Sequence, residues 1–332
     1  MKEALFYEKL EGTTVRCQLC PHKCIIANKK RGICGVRENR NGKLYSLVYG
    51  RPVATNLDPI EKKPLYHFLP ATLSFSLGTV GCNLSCRWCQ NYDISKADPY
   101  KVDSYEMLPE EIIQLALRTN SASISYTYTE PTIFYEMVYE TSRLAHAKGL
   151  KNVIVSNGFI NKEPLIKLSK YIDAANIDIK SYSDDVYIKY CGARLEPVIN
   201  TIITLRKQNV WVELTYLLIP EINDDFEQFR ELCKLIESKL GRDVPFHISR
   251  FFPMYKMSSH YPTPESELLK AYQIAKEFFD FVYVGNINLK GFHDTVCPNC
   301  GASLIVRTGY SVKTNFTNGK CKCGYNIPGV WQ

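Results

Sequence analysis

Three cysteines on one short stretch are the residues best able to do chemistry in this 332-residue sequence. Cys82, Cys86 and Cys89 follow the spacing C-x3-C-x2-C. Thiolates at this spacing can bind three irons of a [4Fe–4S] cluster and leave the fourth iron without a protein ligand. The alternative is a zinc site whose fourth ligand comes from elsewhere in the chain. The spacing predicts the iron–sulfur cluster, with one vertex open to a small molecule.

Eight further cysteines form two groups, one near each end of the sequence. The N-terminal group is Cys17, Cys20, Cys24 and Cys34. The C-terminal group is Cys297, Cys300, Cys321 and Cys323. Four thiolates can hold a structural zinc ion or an iron–sulfur cluster, and spacing alone does not choose between them. We expect zinc or an auxiliary iron–sulfur cluster at the N-terminal group. At the C-terminal group we expect zinc, with rubredoxin-like iron as the alternative.

The composition is that of an ordinary globular protein, with 45% hydrophobic and 23% charged residues. The net charge of +7 is too small to indicate a nucleic-acid partner by itself. The sequence opens without an apolar stretch and contains no run of about 18 apolar residues, so neither a secretory signal nor a membrane partner is predicted. We therefore expect a cytoplasmic protein, in which clustered thiols serve as metal ligands rather than disulfides.

Strand and helix patterns alternate between residues 71 and 290. The predicted strands lie at 71–77, 123–128, 153–155, 174–179, 210–219, 245–249 and 281–284. Strands separated by helices predict a parallel sheet covered by helices. We predict an α/β fold, a full or partial (β/α) TIM-like barrel, with a doubly wound sheet as the alternative. The barrel is favoured because the polar motifs follow the strands, where barrels place their active sites.

Around this barrel, at residues 71–293, the sequence predicts three smaller parts. Residues 1–45 form a cysteine-rich metal-binding segment too short to bury a large core of its own. Residues 46–70 form a connector, in which four prolines interrupt any regular element. Residues 294–332 form a zinc-ribbon-like tail. Cys191 and Cys233 lie outside all three cysteine groups and are predicted to be buried, inert thiols.

The cysteine motif, with Trp88 before its last cysteine, resembles the radical SAM superfamily. The stretches 89–92, 128–132, 156–158 and 176–180 resemble the branch around pyruvate formate-lyase activating enzyme. Within it, the stretches 17–24 and 328–331 are most similar to the AmmeMemoRadiSam-system radical SAM proteins. The resemblance implies a [4Fe–4S] cluster that cleaves S-adenosylmethionine reductively, giving a 5′-deoxyadenosyl radical that abstracts hydrogen. It also implies a low-potential electron donor such as ferredoxin or flavodoxin.

Five further residues receive roles from this resemblance. Glu130 stands where the family has a Gly-Gly-Glu-type motif for the methionyl amino group, although it also fits a helix cap. Asn157 can hydrogen-bond the ribose or form a turn. Asp178 and Lys180 can meet a carboxylate or pair with each other. Trp88 can lie against the adenine or in the core.

The substrate is not evident from the sequence, and protein, RNA and small metabolites stay open. An activating enzyme for a glycyl-radical partner is the alternative inside the enzyme class. A zinc-dependent RNA-binding protein with an inactive barrel is the alternative outside it.

Overall fold

The computed structural model describes residues 1–316 and 319–331. Its N-terminal part consists of two small antiparallel sheets, with strand orders β1-β6-β5 and β2-β3-β4. These strands are β1 (Lys2–Glu3), β2 (Tyr7–Lys9), β3 (Val15–Cys17), β4 (Ile25–Ile26), β5 (Arg37–Arg40) and β6 (Lys43–Ser46). The fully buried Val15 and Val36 belong to the same apolar core as the barrel. The N-terminal part is therefore held by a shared core as well as by any metal.

The central sheet has eight strands that neighbour one another in chain order. They are β7 (Ala54–Pro59), β8 (Leu73–Gly78), β9 (Ser123–Tyr126), β10 (Lys151–Ser156), β11 (Ala174–Ile179), β12 (Trp211–Leu218), β13 (Phe246–Arg250) and β14 (Val282–Gly285). Strands β8 to β14 pair in parallel, whereas β7 is antiparallel to β8. This arrangement is a partial (β/α) barrel, which confirms the predicted fold class.

Eight α-helices accompany the central sheet in the part of the chain that the structure describes. They are α1 (Tyr92–Ser95), α2 (Pro109–Arg118), α3 (Tyr135–Ala147), α4 (Lys162–Ser169), α5 (Asp184–Val186), α6 (Leu195–Lys207), α7 (Phe226–Leu240) and α8 (Glu265–Phe278). Local sequence signals place their ends. The Asp225 carboxylate accepts from two backbone N–H groups of the first turn of α7, as an N-cap does. Pro109 is the first residue of α2, where a missing N–H costs no hydrogen bond.

The prediction of an irregular connector at residues 46–70 is wrong for β7. The strand contains one proline, Pro59, which is tolerated because it is the last residue of a strand at the edge of the sheet. The chain then crosses the N-terminal end of the barrel. There the backbone N–H groups of Tyr66 and His67 donate to Glu213, near the start of β12, at 2.9 and 2.7 Å. The connector thus forms a floor beneath the barrel.

The C-terminal part contains a small antiparallel sheet and returns to this floor. Its strands are β15 (Thr295–Val296), β16 (Ser303–Thr308) and β17 (Ser311–Thr314). The Leu69 N–H donates to the Val330 carbonyl at 2.8 Å, and the Val330 N–H donates to the His67 carbonyl at 2.7 Å. The tail predicted at 294–332 also includes residues 317, 318 and 332, which lie outside the described residues. Within the described ranges, no helix combines the length and apolar character needed to cross a bilayer.

Candidate active site

A cleft of about 330 Å³ lies at the carboxyl ends of the parallel strands. Loops after β8 to β11 supply most of its wall, and side chains of β12 and β13 reach it from the far side. Seven of the eight residues predicted for the central chemistry line this cleft. They are Cys82, Cys86, Trp88, Cys89, Asn157, Asp178 and Lys180. A barrel brings these distant stretches together because parallel strands end at one rim.

The three cysteines lie on the loop that follows β8, and each is partly exposed. Among residues 1–316 and 319–331, only the C-terminal cysteines bring three or more potential ligand atoms all within 4.8 Å of one another. At least one of the distances among the sulfurs of Cys82, Cys86 and Cys89 therefore exceeds 4.8 Å, which is farther than the roughly 3.8 Å between thiolates on one tetrahedral ion. This spread suits thiolates that bind separate irons of one cluster.

Neighbouring groups change the acidity of two of these thiols. Burial and the nearby Glu130 charge raise the pKa of Cys82. A hydrogen bond from the Cys191 thiol lowers the pKa of Cys86. The carbonyl oxygen of Cys191 also accepts the N–H of Ser85 at 2.8 Å. Cys191 is buried as predicted, but it contacts the cysteine loop and is more than an isolated core thiol.

An ion pair stands at the end of β11, facing the cleft. Lys180 Nζ donates to Asp178 Oδ2 at 2.7 Å. The two residues are two positions apart, so an extended backbone places their side chains on the same face. Burial lowers the pKa of Lys180, but the Asp178 carboxylate and the Cys86 thiol outweigh it, so that the pKa is raised overall. The two residues form the predicted ion pair and also line the cleft, where a carboxylate of a ligand can reach Lys180. Lys180 therefore keeps a positive charge beside the three cysteines.

Comparison with known proteins identifies this arrangement. Residues 76–233 match the family model described as the radical SAM superfamily. The chain is also 46% identical over 332 residues to an uncharacterized protein of Methanocaldococcus jannaschii, covering 98% of this chain and 99% of that protein. The chain belongs to the radical SAM superfamily.

Two further matches agree with this membership. A pyruvate formate-lyase-activating enzyme of Staphylococcus epidermidis is 27% identical over 177 residues, which cover 50% of this chain and 70% of that enzyme. The crystal structure of a radical SAM methyltransferase from Sphaerobacter thermophilus superposes with a TM-score of 0.51 at 15% identity, covering 65% of this chain and 67% of that one. The superfamily and the activating-enzyme branch predicted from the motifs are confirmed, and the structural match supports the fold.

Glu130 is buried behind the wall of the cleft. Its side chain is fully buried and does not line the cleft. It accepts from the Thr132 N–H at 2.9 Å, from Ser156 Oγ at 2.8 Å and from the Asn157 N–H at 2.8 Å. Glu130 is thus the N-cap of the short 3₁₀ helix Pro131–Phe134, and its carboxylate also holds the end of β10. The structure shows the helix cap, one of the two predicted roles, and the contact with the methionyl amino group stays a prediction.

Asn157 and Trp88 reach the radical SAM cleft in different ways. The Asn157 amide donates to Asn83 Oδ1 at 2.9 Å and accepts the Phe159 N–H at 2.9 Å. Its hydrogen-bonding groups are thus engaged by the protein, which favours the turn over the ribose contact. Trp88 is 3% exposed, and its Nε1–H is buried without a partner. A buried donor with no acceptor is costly, and a bound ligand in the cleft can supply the acceptor.

The stretch after β9 shows how this chain replaces the glycines of the family motif. Tyr128 takes a left-handed backbone conformation, with φ of 67°, as a glycine does without strain. Its carbonyl oxygen accepts from Asn91 Nδ2 at 2.9 Å, just past the cysteine loop. A Cβ at Gly78 would lie 2.7 Å from the Thr127 carbonyl oxygen, so the two strands approach closely here. The sequence carries no signal for the unusual conformation of Tyr128, since tyrosine rarely adopts it.

The two outer cysteine groups differ in geometry. In the C-terminal group, the sulfurs of Cys297 and Cys323 are 3.7 Å apart, and those of Cys300 and Cys321 are 3.6 Å apart. Four thiolates around one tetrahedral ion stand roughly 3.8 Å apart, given metal–sulfur bonds of about 2.3 Å. The C-terminal group therefore fits a single ion. The four N-terminal cysteines line a separate cavity, in which no three sulfurs come within 4.8 Å of one another.

Proposed function

We propose that this protein is an enzyme that cleaves S-adenosylmethionine reductively and uses the resulting 5′-deoxyadenosyl radical to abstract hydrogen from a substrate. The observation that carries the proposal is the set of three spread thiols in a cleft that also contains a charged lysine. When bound to Cys82, Cys86 and Cys89, a [4Fe–4S] cluster supplies the electron for this cleavage. Superfamily membership supports the same chemistry.

The chain's own residues bind and orient the cofactor in this proposal. Lys180 provides a half-buried positive charge for the cofactor's carboxylate, and Asp178 provides an acceptor for its ammonium group. Trp88 offers its unpartnered Nε1–H as a donor. Glu130 keeps the end of β10 in place from behind the cleft wall. The cleft volume of about 330 Å³ lies at the lower end of the range typical of small-molecule sites.

Anaerobic reconstitution with iron and sulfide tests this function. We expect a brown protein that releases 5′-deoxyadenosine from S-adenosylmethionine once it is reduced. Single alanine substitutions at Cys82, Cys86 and Cys89 should abolish this release, whereas Cys233→Ala, a matched change at a buried cysteine of α7, should not. A colourless protein containing only zinc would instead support an inactive, RNA-binding barrel. Release of 5′-deoxyadenosine by all three variants would refute the ligand assignment.

A glycyl-radical activating enzyme is the second candidate, and the named relative from Staphylococcus epidermidis favours it. In that case the radical would abstract hydrogen from a glycine of a partner protein. Electron paramagnetic resonance of a co-expressed glycyl-radical enzyme should then show a glycyl signal that depends on this chain. Without such a signal, label transfer from deuterated cell extracts into 5′-deoxyadenosine should reveal which class of molecule, protein, RNA or metabolite, is the substrate.

We further propose a structural zinc ion at the C-terminal group and a cytoplasmic location. The close sulfurs of Cys297, Cys300, Cys321 and Cys323 support the single ion. The location is supported by the thirteen free cysteines, which suit a reducing compartment. Metal analysis should find about one zinc per chain at this site. Iron without acid-labile sulfide at the same site would indicate a rubredoxin-like centre instead.

A further inference from the structure

We propose that Cys17, Cys20, Cys24 and Cys34 bind a second [4Fe–4S] cluster, placed to relay an electron to the cluster at Cys82, Cys86 and Cys89. The identity of this metal centre stands independently of the enzyme's reaction. Its role as a relay rests on the function proposed above. Three features of the N-terminal cavity support the proposal: the spacing of its sulfurs, an unpartnered buried donor, and its position against the radical SAM loop.

The spacing of the sulfurs argues against zinc. All four cysteines line one cavity, yet no three of their sulfurs lie within 4.8 Å of one another in the described chain. By contrast, the four sulfurs of the C-terminal group all lie within 4.8 Å of one another, as ligands of a single ion do. A single ion needs ligands in contact with it at about 2.3 Å. Thiolates on four different irons stand farther apart, as the N-terminal sulfurs do.

A buried arginine faces the same cavity. Arg37 is 1% exposed, and its Nε–H has no hydrogen-bond partner. Its other two nitrogens have partners, because Nη1 donates to Glu136 at 3.0 and 3.2 Å and Nη2 donates to the Leu5 carbonyl. A buried donor is rarely left without an acceptor. Sulfide and thiolate sulfurs of a cluster in this cavity provide acceptors and a negative charge for it.

Part of the cavity wall is apolar and buried. Leu19, Ile26 and Ile133 line it and are almost fully buried. An apolar wall lowers the local dielectric, which affects the reduction potential of a cluster. The cavity is therefore suited to electron transfer as well as to binding.

The N-terminal cavity and the active-site cleft lie on opposite sides of one short segment. Asn83 lines the cavity, whereas its neighbours Cys82 and Leu84 line the cleft. His22 Nε2 donates to the Asn83 carbonyl oxygen at 2.7 Å. The backbone thus offers a direct connection from the N-terminal cysteine loop to a ligand of the radical SAM cluster.

The relay transfers one electron and changes no covalent bond. The auxiliary cluster is oxidised by one electron, and the cluster at the three central cysteines is reduced by one. A low-potential one-electron donor of the ferredoxin or flavodoxin class then restores the auxiliary cluster. No proton moves in this step.

Iron and sulfide analysis of a variant without the central ligands tests the cluster. The variant Cys82→Ala/Cys86→Ala/Cys89→Ala should keep about four irons and four sulfides per chain, roughly half of the wild-type content, and remain brown. Adding Cys20→Ala and Cys24→Ala should remove the remaining sulfide. Sulfide is decisive because zinc and rubredoxin-like iron contain none. A triple variant that is colourless, free of sulfide and enriched in zinc would overturn the proposal.

Electron paramagnetic resonance tests the relay. In fully reduced wild-type protein, two neighbouring paramagnetic clusters should broaden each other's signal, whereas the triple variant should give the sharper signal of one cluster. A wild-type spectrum equal to the sum of two isolated clusters would refute the relay. If the triple variant keeps its sulfide but the wild type releases no 5′-deoxyadenosine, the proposed function fails while the auxiliary cluster stands.

Discussion

Gly81, the residue before the first central cysteine, offers the sharpest test of how the N-terminal part packs on the active site. It has a φ of 97°, and an added Cβ would lie 2.6 Å from Val36 Cγ1 and 2.8 Å from the Cys34 carbonyl oxygen. The left-handed conformation costs an alanine about 1–2 kcal/mol. Overpacking adds about 1–3 kcal/mol. Gly81→Ala should therefore destabilise the protein by about 2–5 kcal/mol.

Gly149→Ala is the matched control, because Gly149 has a φ of 77° and nothing within 4 Å of its added Cβ. It should lose only the conformational part, about 1–2 kcal/mol. Urea denaturation of both anaerobically prepared variants measures the difference. Gly81→Ala should also lose iron from the N-terminal cysteines, since its methyl group displaces the backbone of Cys34. Equal stability and equal iron content in the two variants would refute the close packing described here.

Three further predictions concern charge, cofactor binding and the C-terminal metal. Burial raises the pKa of Asp58, but hydrogen bonds from two lysines outweigh it and lower the pKa to about 2. The stability that Asp58 contributes is thus present above its unfolded value of 3.8 and is lost as the pH falls through about 2. Asp58→Asn should make the free energy of unfolding depend less on pH between 3.8 and about 2. It should also cost about 3–5 kcal/mol of stability at pH 7, because it leaves Lys63 buried without its partner. The same dependence of stability on acid pH in the variant and the wild type would contradict this. Lys180→Met should raise the KM for S-adenosylmethionine roughly 10- to 100-fold at unchanged iron content, because a hydrogen bond to a charged group contributes about 1.5–3 kcal/mol. A KM equal to that of the wild type would exclude the carboxylate contact. Cys300→Ser should lower the zinc content by about one per chain and lower the melting temperature without loss of sulfide, and unchanged zinc would remove Cys300 from the metal site.

The barrel was predictable because its elements carry strong local patterns. The strand predicted at 174–179 has those same bounds in the structure, and the other six predicted strands differ from the observed ones by at most two residues at either end. The central cysteine loop is equally plain in the sequence, since its three cysteines occupy eight consecutive residues. Only the meeting of these stretches at one rim required the tertiary structure.

Features that depend on distant contacts escaped the sequence analysis. Strand β7 was not predicted because of the prolines in the connector. Only the complete sheet shows that this strand lies at an edge, where proline is tolerated. The helix cap at Glu130 was predicted, but its further hydrogen bonds to Ser156, the last residue of β10, and to Asn157 just after that strand were not. The buried pair of Arg37 and Glu136 joins residues 99 positions apart. Sulfur separations in the outer cysteine groups depend on folding in the same way.

The pairing of Val330 with the connector has a consequence for how the protein is made. The imidazole of His67, fully buried in the finished molecule, bonds to the Pro328 carbonyl oxygen and to the Tyr283 hydroxyl. Because a chain leaves the ribosome from its N-terminus, His67 emerges long before either partner. The underside of a nascent barrel therefore stays open to solvent and chaperones until residue 330 has cleared the exit tunnel, even when the three central cysteines at its other end are already in place.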